Sequence, residues 1–255
     1  MKYYERFLDL GCFTRSEVSQ LVGNPHTADT LLRNYKRKGY LQSVRRDLYV
    51  AISLETKQAV ASRYQIASKI MDGSYVSHHS AFEYYGVAHQ VFFEVYVSGK
   101  KRFLPFVYDD LNYRYVAPGI NEGLITKNGV TATDIERTII DMINDFEKIA
   151  GFEELLRCLE LIPSVNEEKL LYYLSIFDKH FLYQKTGYIL SYFQKSLRLS
   201  DNFFTRCHEK LAKSVRYLHK GISQKPSVYD RRWQLFTPKN LLDTLIQEEQ
   251  ANATI

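Results

Sequence analysis

A turn between two short helices near the N-terminus limits the fold of this chain more than any other feature of its sequence. Thr14 and Glu17 have the spacing of a capping box, in which each side chain bonds a backbone N–H at the start of a helix. Gly23 ends that helix, Asn24 is a favourable N-cap for the next one, and Pro25 suits its first position because proline has no N–H to lose there. These residues predict a helix-turn-helix.

The second helix, predicted from Pro25 to about Lys38, divides its surface into two faces. Apolar residues recur at helical spacing on the side expected to pack inward, namely Ala28, Leu31, Leu32 and Tyr35. The opposite side carries polar and basic side chains that can reach base edges and phosphates in a DNA major groove: His26, Thr27, Thr30, Arg33, Asn34 and Arg37. This pattern is typical of a recognition helix.

A basic hairpin is predicted immediately after Gly39. Two short apolar strands flank a tip that contains Arg45 and Arg46, which would contact phosphates beside the helix. From Arg33 to Arg46 there are six basic residues and no acidic one, whereas the whole chain has a net charge of only +5. We therefore expect a winged helix-turn-helix that binds DNA over residues 1–52. Two alternatives stay open, because cations at a helix end are often simply solvated and some winged helices bind only proteins.

The rest of the chain, residues 53–255, is expected to form a larger mixed α/β domain with a helical second half, so the predicted fold class is α+β. A helix is predicted at about 54–71 and a short one within 75–87, followed by strands at 91–98 and 112–116 and a hairpin around Asn128-Gly129. Thr133 and Glu136 have the spacing of a second capping box. Later elements are predicted as helices at 152–162, 166–178, 184–197 and 202–213, a strand at 233–236 and a polar helical tail.

The composition favours a reduced, cytoplasmic protein without a cofactor. Cys12, Cys158 and Cys207 lie far apart, are odd in number and lack the spacing of metal ligands. The N-terminus has no signal-peptide pattern, and no run approaches the ~18 apolar residues of a membrane span. We therefore expect no membrane partner.

Five motifs follow the N-terminal segment in a defined order. They are YVSHHSAFEYYGV (75–87), FFEVYVSGKKR (92–102), GVTATDIERTIIDMI (129–143), KTGYILSYF (185–193) and YDRRWQLF (229–236). Their order and spacing, together with the winged helix, resemble those of the AbiEi antitoxins of type IV toxin–antitoxin, abortive-infection systems. The resemblance extends from about Phe7 to Phe236, and the chain beyond Phe236 departs from it.

The resemblance implies a phage-defence protein with two roles, neither of them enzymatic. Such a protein represses its own operon by binding double-stranded inverted repeats in the promoter, and we expect a monomer in solution that binds this DNA cooperatively. It also acts as the antitoxin that counteracts a nucleotidyltransferase-like toxin without forming a stable complex with it. The resemblance assigns antitoxicity to the larger domain, residues 53–255, which is also needed for full repression. Carried over to this sequence, the DNA-binding role falls on Thr27, Thr30, Arg33, Asn34, Arg37, Arg45 and Arg46.

The alternative function is a metal-dependent nuclease that the winged helix targets to DNA. Glu94, on a predicted strand, is a candidate metal ligand, but Tyr96 occupies the position where the nuclease motif requires lysine. His78 and His79 are adjacent, and neighbouring residues of a helix point about 100° apart, so they do not readily share a metal. We therefore expect no metal site and no catalytic residue.

Two further basic clusters are either ordinary surface or additional nucleic-acid contacts. The first is the run Lys100, Lys101 and Arg102, beyond the strand that contains Glu94. The second is spread over the predicted helices of the C-terminal half and consists of Lys185, Arg198, Arg206, Lys210, Lys213 and Arg216.

Overall fold

The N-terminal segment of the computed structural model has the winged helix-turn-helix that the sequence predicts. The structure describes residues 3–212, 214–224 and 226–239. The elements run in the order α1 (Tyr4–Leu10), β1 (Cys12–Thr14), α2 (Arg15–Val22), α3 (Pro25–Arg37), β2 (Leu41–Arg45) and β3 (Leu48–Ala51). The strands form an antiparallel sheet in the order β1-β3-β2, and the β2–β3 hairpin is the wing.

Both predicted helix starts in this segment are confirmed. The Thr14 hydroxyl accepts from the Glu17 N–H at 3.2 Å, and a Glu17 carboxylate oxygen accepts from the Thr14 N–H at 2.7 Å, which completes the capping box. The Asn24 side-chain oxygen accepts from the N–H groups of His26 and Thr27 at 2.9 and 3.1 Å. These bonds set where α2 and α3 begin and therefore which residues of α3 face outward.

A small apolar core holds the three helices of this segment against the sheet. Its fully or almost fully buried members are Phe7, Phe13, Val18, Ala28, Leu32, Leu41 and Ala51. The rings of Phe7 and Phe13 stack with their centroids 4.6 Å apart. Since α3 contributes only Ala28 and Leu32 to the fully buried set, the opposite side of that helix is left to solvent.

A six-stranded mixed sheet follows the winged helix along the chain. The elements are α4 (Arg63–Lys69), β4 (Tyr75–Val76), α5 (His78–Tyr85), β5 (Glu94–Ser98), β6 (Phe106–Tyr108), β7 (Leu111–Tyr115), β8 (Leu124–Lys127) and β9 (Val130–Thr133). The strand order is β6-β7-β5-β4-β9-β8, with β5 and β7 parallel and β4 and β9 parallel. The predicted hairpin is present, and Asn128 and Gly129 both have positive φ at its turn.

The chain divides into two compact units. The first unit comprises residues 1–80, 92–118 and 124–132, and the second comprises 81–91, 119–123 and 133–255. This division differs from the boundary expected at residue 52, because the chain beyond β3 packs back on the winged helix. The N–H of Val60 donates to the carbonyl of Ala51, and Ile52 forms a bridge with Ala59.

The second unit is mainly helical, as predicted for the C-terminal half. Its helices are α6 (Ile135–Asp145), α7 (Gly151–Glu160), α8 (Glu167–Phe177), α9 (His180–Ser191) and α10 (Asp201–Glu209). A small sheet of β10 (Arg216–Tyr217), β12 (Leu235–Pro238) and β11 (Ser227–Asp230), in that order, completes it. Trp233 is 1% exposed, and its ring occupies the space that a Cβ on Gly187 would need. The helical tail predicted after Phe236 would lie mainly at 240–255, outside the described residues.

Several predicted boundaries were wrong. The helix expected at 54–71 is reduced to α4, which begins only after Ser62 because Ser62 and Gln65 form a capping box there. The capping box predicted for Thr133 and Glu136 is absent. Asp134 caps α6 instead, while the Thr133 hydroxyl lies 2.8 Å from that of Thr138. Helix α9 ends at Ser191 instead of 197, and the last strand starts at Leu235 instead of Trp233.

A buried arginine organises the start of α6. The side chains of Arg137 and Asp141 are 1% and 3% exposed and are joined by a 2.9 Å hydrogen bond. The same guanidinium donates to the carbonyls of Glu122 and Ile120 at 2.7 and 3.0 Å, so it also holds the preceding loop of the second unit. Because a buried charge is costly without its partners, this group is a structural requirement.

We predict that Arg137→Met lowers the free energy of unfolding by about 3–5 kcal/mol, because it leaves the Asp141 carboxylate buried without its cation. Urea denaturation followed by circular dichroism measures this change. The matched control is Arg206→Met, which removes an exposed ion pair with Glu168 (3.1 Å; side chains 46% and 69% exposed) and should cost about 0–1 kcal/mol. Equal effects of the two variants would contradict the structural role of Arg137.

Candidate nucleic-acid interface

The outward side of α3 brings together the residues that the sequence assigns to DNA. Five side chains with polar or basic ends lie opposite the buried Ala28 and Leu32: Thr27, Thr30, Arg33, Asn34 and Arg37. At about 100° per residue they fall within an arc of about 120°, which His26 shares. All are exposed except Asn34, which is half-buried. The arc is therefore a continuous polar strip along the helix.

The inward side of α3 fixes the rotation of this arc. Leu31 and Tyr35 are partly buried against the core of the winged helix. The ring of Tyr35 meets those of Phe7 and Tyr40 edge-on, with centroids 5.7 and 5.6 Å apart. A rotation of α3 would break these contacts and expose Ala28, so the arc is held rigidly toward solvent.

The single acidic residue of α3 is neutralised within the domain. Asp29 forms a two-point ion pair with Arg15, at 2.6 Å to its Nε and 2.8 Å to its second terminal nitrogen. The hydrogen bond from Arg15 holds the pKa of the Asp29 carboxyl below its usual range, although partial desolvation opposes the shift. An anionic ligand approaching Arg33 and Arg37 therefore meets a carboxylate whose charge is already balanced.

One of the two wing arginines is directed to solvent. The Arg46 side chain is 94% exposed, and its nearest acidic group is the neighbouring Asp47 at 3.6 Å. Asp47 has a φ of 61° at the hairpin turn, and its carbonyl accepts from the Arg15 N–H at 3.0 Å. This bond ties the wing tip to the start of α2, so that Arg46 is presented from a fixed position.

The structure places Arg45 differently from the sequence expectation of a phosphate clamp. Its guanidinium carbon lies 5.7 and 5.2 Å from the ring centroids of Phe103 and Phe106, and the side chain is only partly exposed. Its Nη1 atom is buried without a hydrogen-bond partner among the described residues. The pairing of β2 with β3 shifts register between Ser43 and Arg45, and such a bulge changes which way a side chain points. Arg45 therefore braces the wing against the rings.

The residues that the sequence offers as candidate catalytic or metal-binding groups are buried or engaged in packing contacts. Ser77, His78, His79 and Ser80 are all 0–2% exposed. The Ser77 hydroxyl lies 2.8 Å from that of Ser98 and 2.9 Å from His78 Nδ1, and the His79 ring stacks on Phe92 at 4.1 Å. Glu94 begins β5, and its carbonyl accepts from the Ser80 hydroxyl at 3.4 Å.

The second basic cluster of the sequence does not form one surface. Lys185 is 5% exposed, and its Nζ donates to the carbonyl of Ile143 at 2.9 Å from between the rings of Phe146 and Phe181. Burial lowers the pKa of Lys185 to about 8. Arg206 is paired with Glu168, and Lys213 lies outside the described residues. Sequence periodicity did not anticipate that α9 would be buried on nearly all sides.

Comparison with known proteins identifies the fold but no family. No protein-family model matches the chain, and no protein of curated function matches it in sequence. The chain is similar in structure to the crystal structure of the RV2827C protein from Mycobacterium tuberculosis, with a TM-score of 0.62 over 93% of this chain and 89% of that chain. The identity is 16%, so the similarity concerns the fold alone, and it supports the α+β class. Among the described residues, no helix is long and apolar enough to cross a membrane.

Because Arg45 packs on aromatic rings and Arg46 faces solvent, we predict different effects of replacing each with alanine. Arg46→Ala should leave the unfolding midpoint unchanged and reduce the slope of log affinity for DNA against log salt by about 0.9, the value for one lost phosphate contact. Arg45→Ala should lower the unfolding midpoint, because a cation–π contact contributes about 0.5–2 kcal/mol. Thermal unfolding and fluorescence anisotropy across salt measure both. Identical salt slopes for the wild type and Arg46→Ala would show that Arg46 at the wing tip contacts no phosphate.

Proposed function

We propose that this protein is a sequence-specific, double-stranded-DNA-binding repressor of its own operon and the antitoxin of a type IV toxin–antitoxin system. The observations that carry the DNA-binding part are the exposed polar arc of α3 and the solvent-directed Arg46 on the wing of the same domain. The antitoxin part rests on the sequence resemblance to AbiEi proteins. Its target would be a nucleotidyltransferase-like toxin with which it forms no stable complex.

The arc has the chemistry that major-groove reading requires. An α-helix fits the major groove of B-form DNA, where arginine can bind guanine through two hydrogen bonds and asparagine can bind adenine in the same way. Arg33 and Arg37 are exposed, and Asn34 lies on the same arc. Thr27 and Thr30 lie toward the N-terminal end of α3, which is the end of a recognition helix that meets base edges. The Thr30 hydroxyl also donates to the His26 carbonyl at 3.0 Å.

The positive charge around the arc supplies attraction that does not depend on sequence. Lys36 and Lys38 are exposed beside Arg33 and Arg37, and Arg46 extends the charge to the wing. Each phosphate contacted by such a cation releases condensed counterions, which makes binding salt-dependent. We propose that a monomer binds each half of an inverted repeat and that two bound monomers act cooperatively.

The motifs that carry the resemblance lie in both units. Residues 133–143 form the end of β9 and most of α6, and residues 185–193 include most of α9. Many of these side chains are buried, among them Arg137, Asp141, Lys185 and Tyr188. They stabilise the fold that presents the surface of the second unit, where we place the antitoxin role.

We predict that the double variant Arg33→Ala/Arg37→Ala loses selectivity for the DNA upstream of its own gene. Each two-point arginine–guanine contact discriminates by about 1–3 kcal/mol, so affinity for the operator should fall at least tenfold. Fluorescence anisotropy with a scrambled duplex as competitor measures the change. The control, Lys127→Ala/Lys195→Ala, removes the same charge from exposed sites outside α3 and the wing and should bind as the wild type does. Wild-type protein that binds operator and scrambled DNA equally well would refute sequence-specific repression.

The two proposed roles should be separable in the full-length protein. Arg33→Ala/Arg37→Ala alters α3 alone, so it should relieve repression of a promoter–reporter fusion while still protecting cells that express the partner toxin from a separate promoter. Immunoblotting controls for equal protein levels. Loss of protection together with repression, at equal levels, would show that antitoxicity needs the same DNA-binding surface.

A further inference from the structure

The run Lys100, Lys101 and Arg102 is an exposed basic turn that the proposed recognition helix does not use. The turn follows β5, and all three side chains are exposed. Across the described part of the chain, none of the three has an ion-pair or hydrogen-bond partner through its side chain. Their charges are therefore not balanced by an acidic side chain within the described residues.

The position of this basic turn is fixed by the rings that follow it. Phe103 is 4% exposed, and its ring lies 5.8 Å from that of Tyr115, whose hydroxyl donates to the Gly99 carbonyl at 3.0 Å. These contacts hold the turn at both ends, since Gly99 precedes it and Phe103 follows it. The turn is therefore a rigid projection.

The stacked Arg45 joins this projection to the wing. Its guanidinium lies over Phe103, the residue immediately after Arg102. As a result, Lys101 lines the same surface groove, of about 440 Å³, as the wing residues Arg45 and Arg46. The wing and the basic turn are neighbouring parts of one surface of the first unit.

The lining of the groove contains more basic than acidic side chains. Arg15 is paired with Asp29, and Lys69 lies 2.5 Å from Glu17. The acidic residues of the lining itself are Asp47, beside Arg46, and Asp72. The lining therefore has a net positive charge, and the exposed Lys100 and Arg102 adjoin Lys101 along the chain.

We propose that Lys100, Lys101 and Arg102 form a second phosphate-contacting element, which extends the wing and holds the flank of the duplex that α3 reads. The proposal rests on the proposed function for its ligand, double-stranded DNA. A row of lysine and arginine side chains on a rigid support contacts phosphates and positions a duplex without reading its bases. The element therefore adds affinity and salt dependence but no sequence preference.

The first test compares a duplex that ends at the recognition sequence with one that continues beyond it. Lys100→Ala/Lys101→Ala/Arg102→Ala should weaken binding to the long duplex about tenfold and reduce its salt slope by up to about 2.7, while binding to the short duplex changes little. The control, Lys127→Ala/Lys195→Ala/Lys210→Ala, removes the same charge from other exposed positions. The unfolding midpoints of all variants are compared with that of the wild type.

The second test locates the element on the DNA. Cys12, Cys158 and Cys207 are buried, and burial raises the pKa of each thiol, so an introduced surface thiol reacts first. Lys101→Cys carrying an iron–EDTA group should cut the backbone in the flank of the recognition sequence. Lys127→Cys, at the end of the opposite edge strand β8, should give no cuts.

The outcomes separate this proposal from the proposed repressor function. In one outcome the wild type binds DNA without sequence preference, and the triple variant has a smaller salt slope. This result would refute the repressor function and support the phosphate contact. In another outcome the wild type and the triple variant bind selectively with the same affinity and salt slope, and no cuts appear in the flank. This result would overturn the second phosphate-contacting element and support the repressor function. Wild-type protein that binds neither duplex would overturn both.

Discussion

Burial of one narrow stripe of α3 determines which side of that helix faces solvent. Ala28 and Leu32 are enclosed by the rings of Phe7 and Phe13 and by the wing strands. Because the side chains of an α-helix point in fixed directions around its axis, burial of one side makes the opposite arc face outward. The N-cap of Asn24 and the pair between Asp29 and Arg15 then set the start of the helix and the balance of its charge. The direction in which the polar arc of α3 faces is thus a consequence of core packing.

Local chemistry in the sequence predicted helix starts and tight turns well where the signal is contained within a few residues. The capping box at Thr14 and the turn at Asn128-Gly129 depend only on neighbours along the chain, and both are present. The box at Thr133 failed because a distant residue competes for its partner. The Glu136 carboxylate accepts from the Asn166 N–H at 2.8 Å, and Asp134, which caps the helix instead, also accepts from the Tyr173 hydroxyl.

The candidate site was predicted in part, and the errors have a common physical cause. The polar arc of α3 follows from helical periodicity, so its five members are correctly grouped. The surroundings of long basic side chains do not follow from helical periodicity, because these surroundings include aromatic rings that lie far away in sequence. Arg45 and Lys185 both read as surface cations, yet one lies over Phe103 and Phe106 and the other between Phe146 and Phe181. The available signal for the placement of Arg45 was the presence of Phe103 and Phe106 shortly after the basic run 100–102, because aromatic rings attract cations.

The separation of α3 into a buried stripe and an unconstrained arc has an evolutionary consequence. The side chains of Thr27, Arg33 and Arg37 are exposed, so the stability of the domain imposes little selection on them. The exposed side chains of α3 are therefore free to change through a few point mutations while the architecture of the domain is kept.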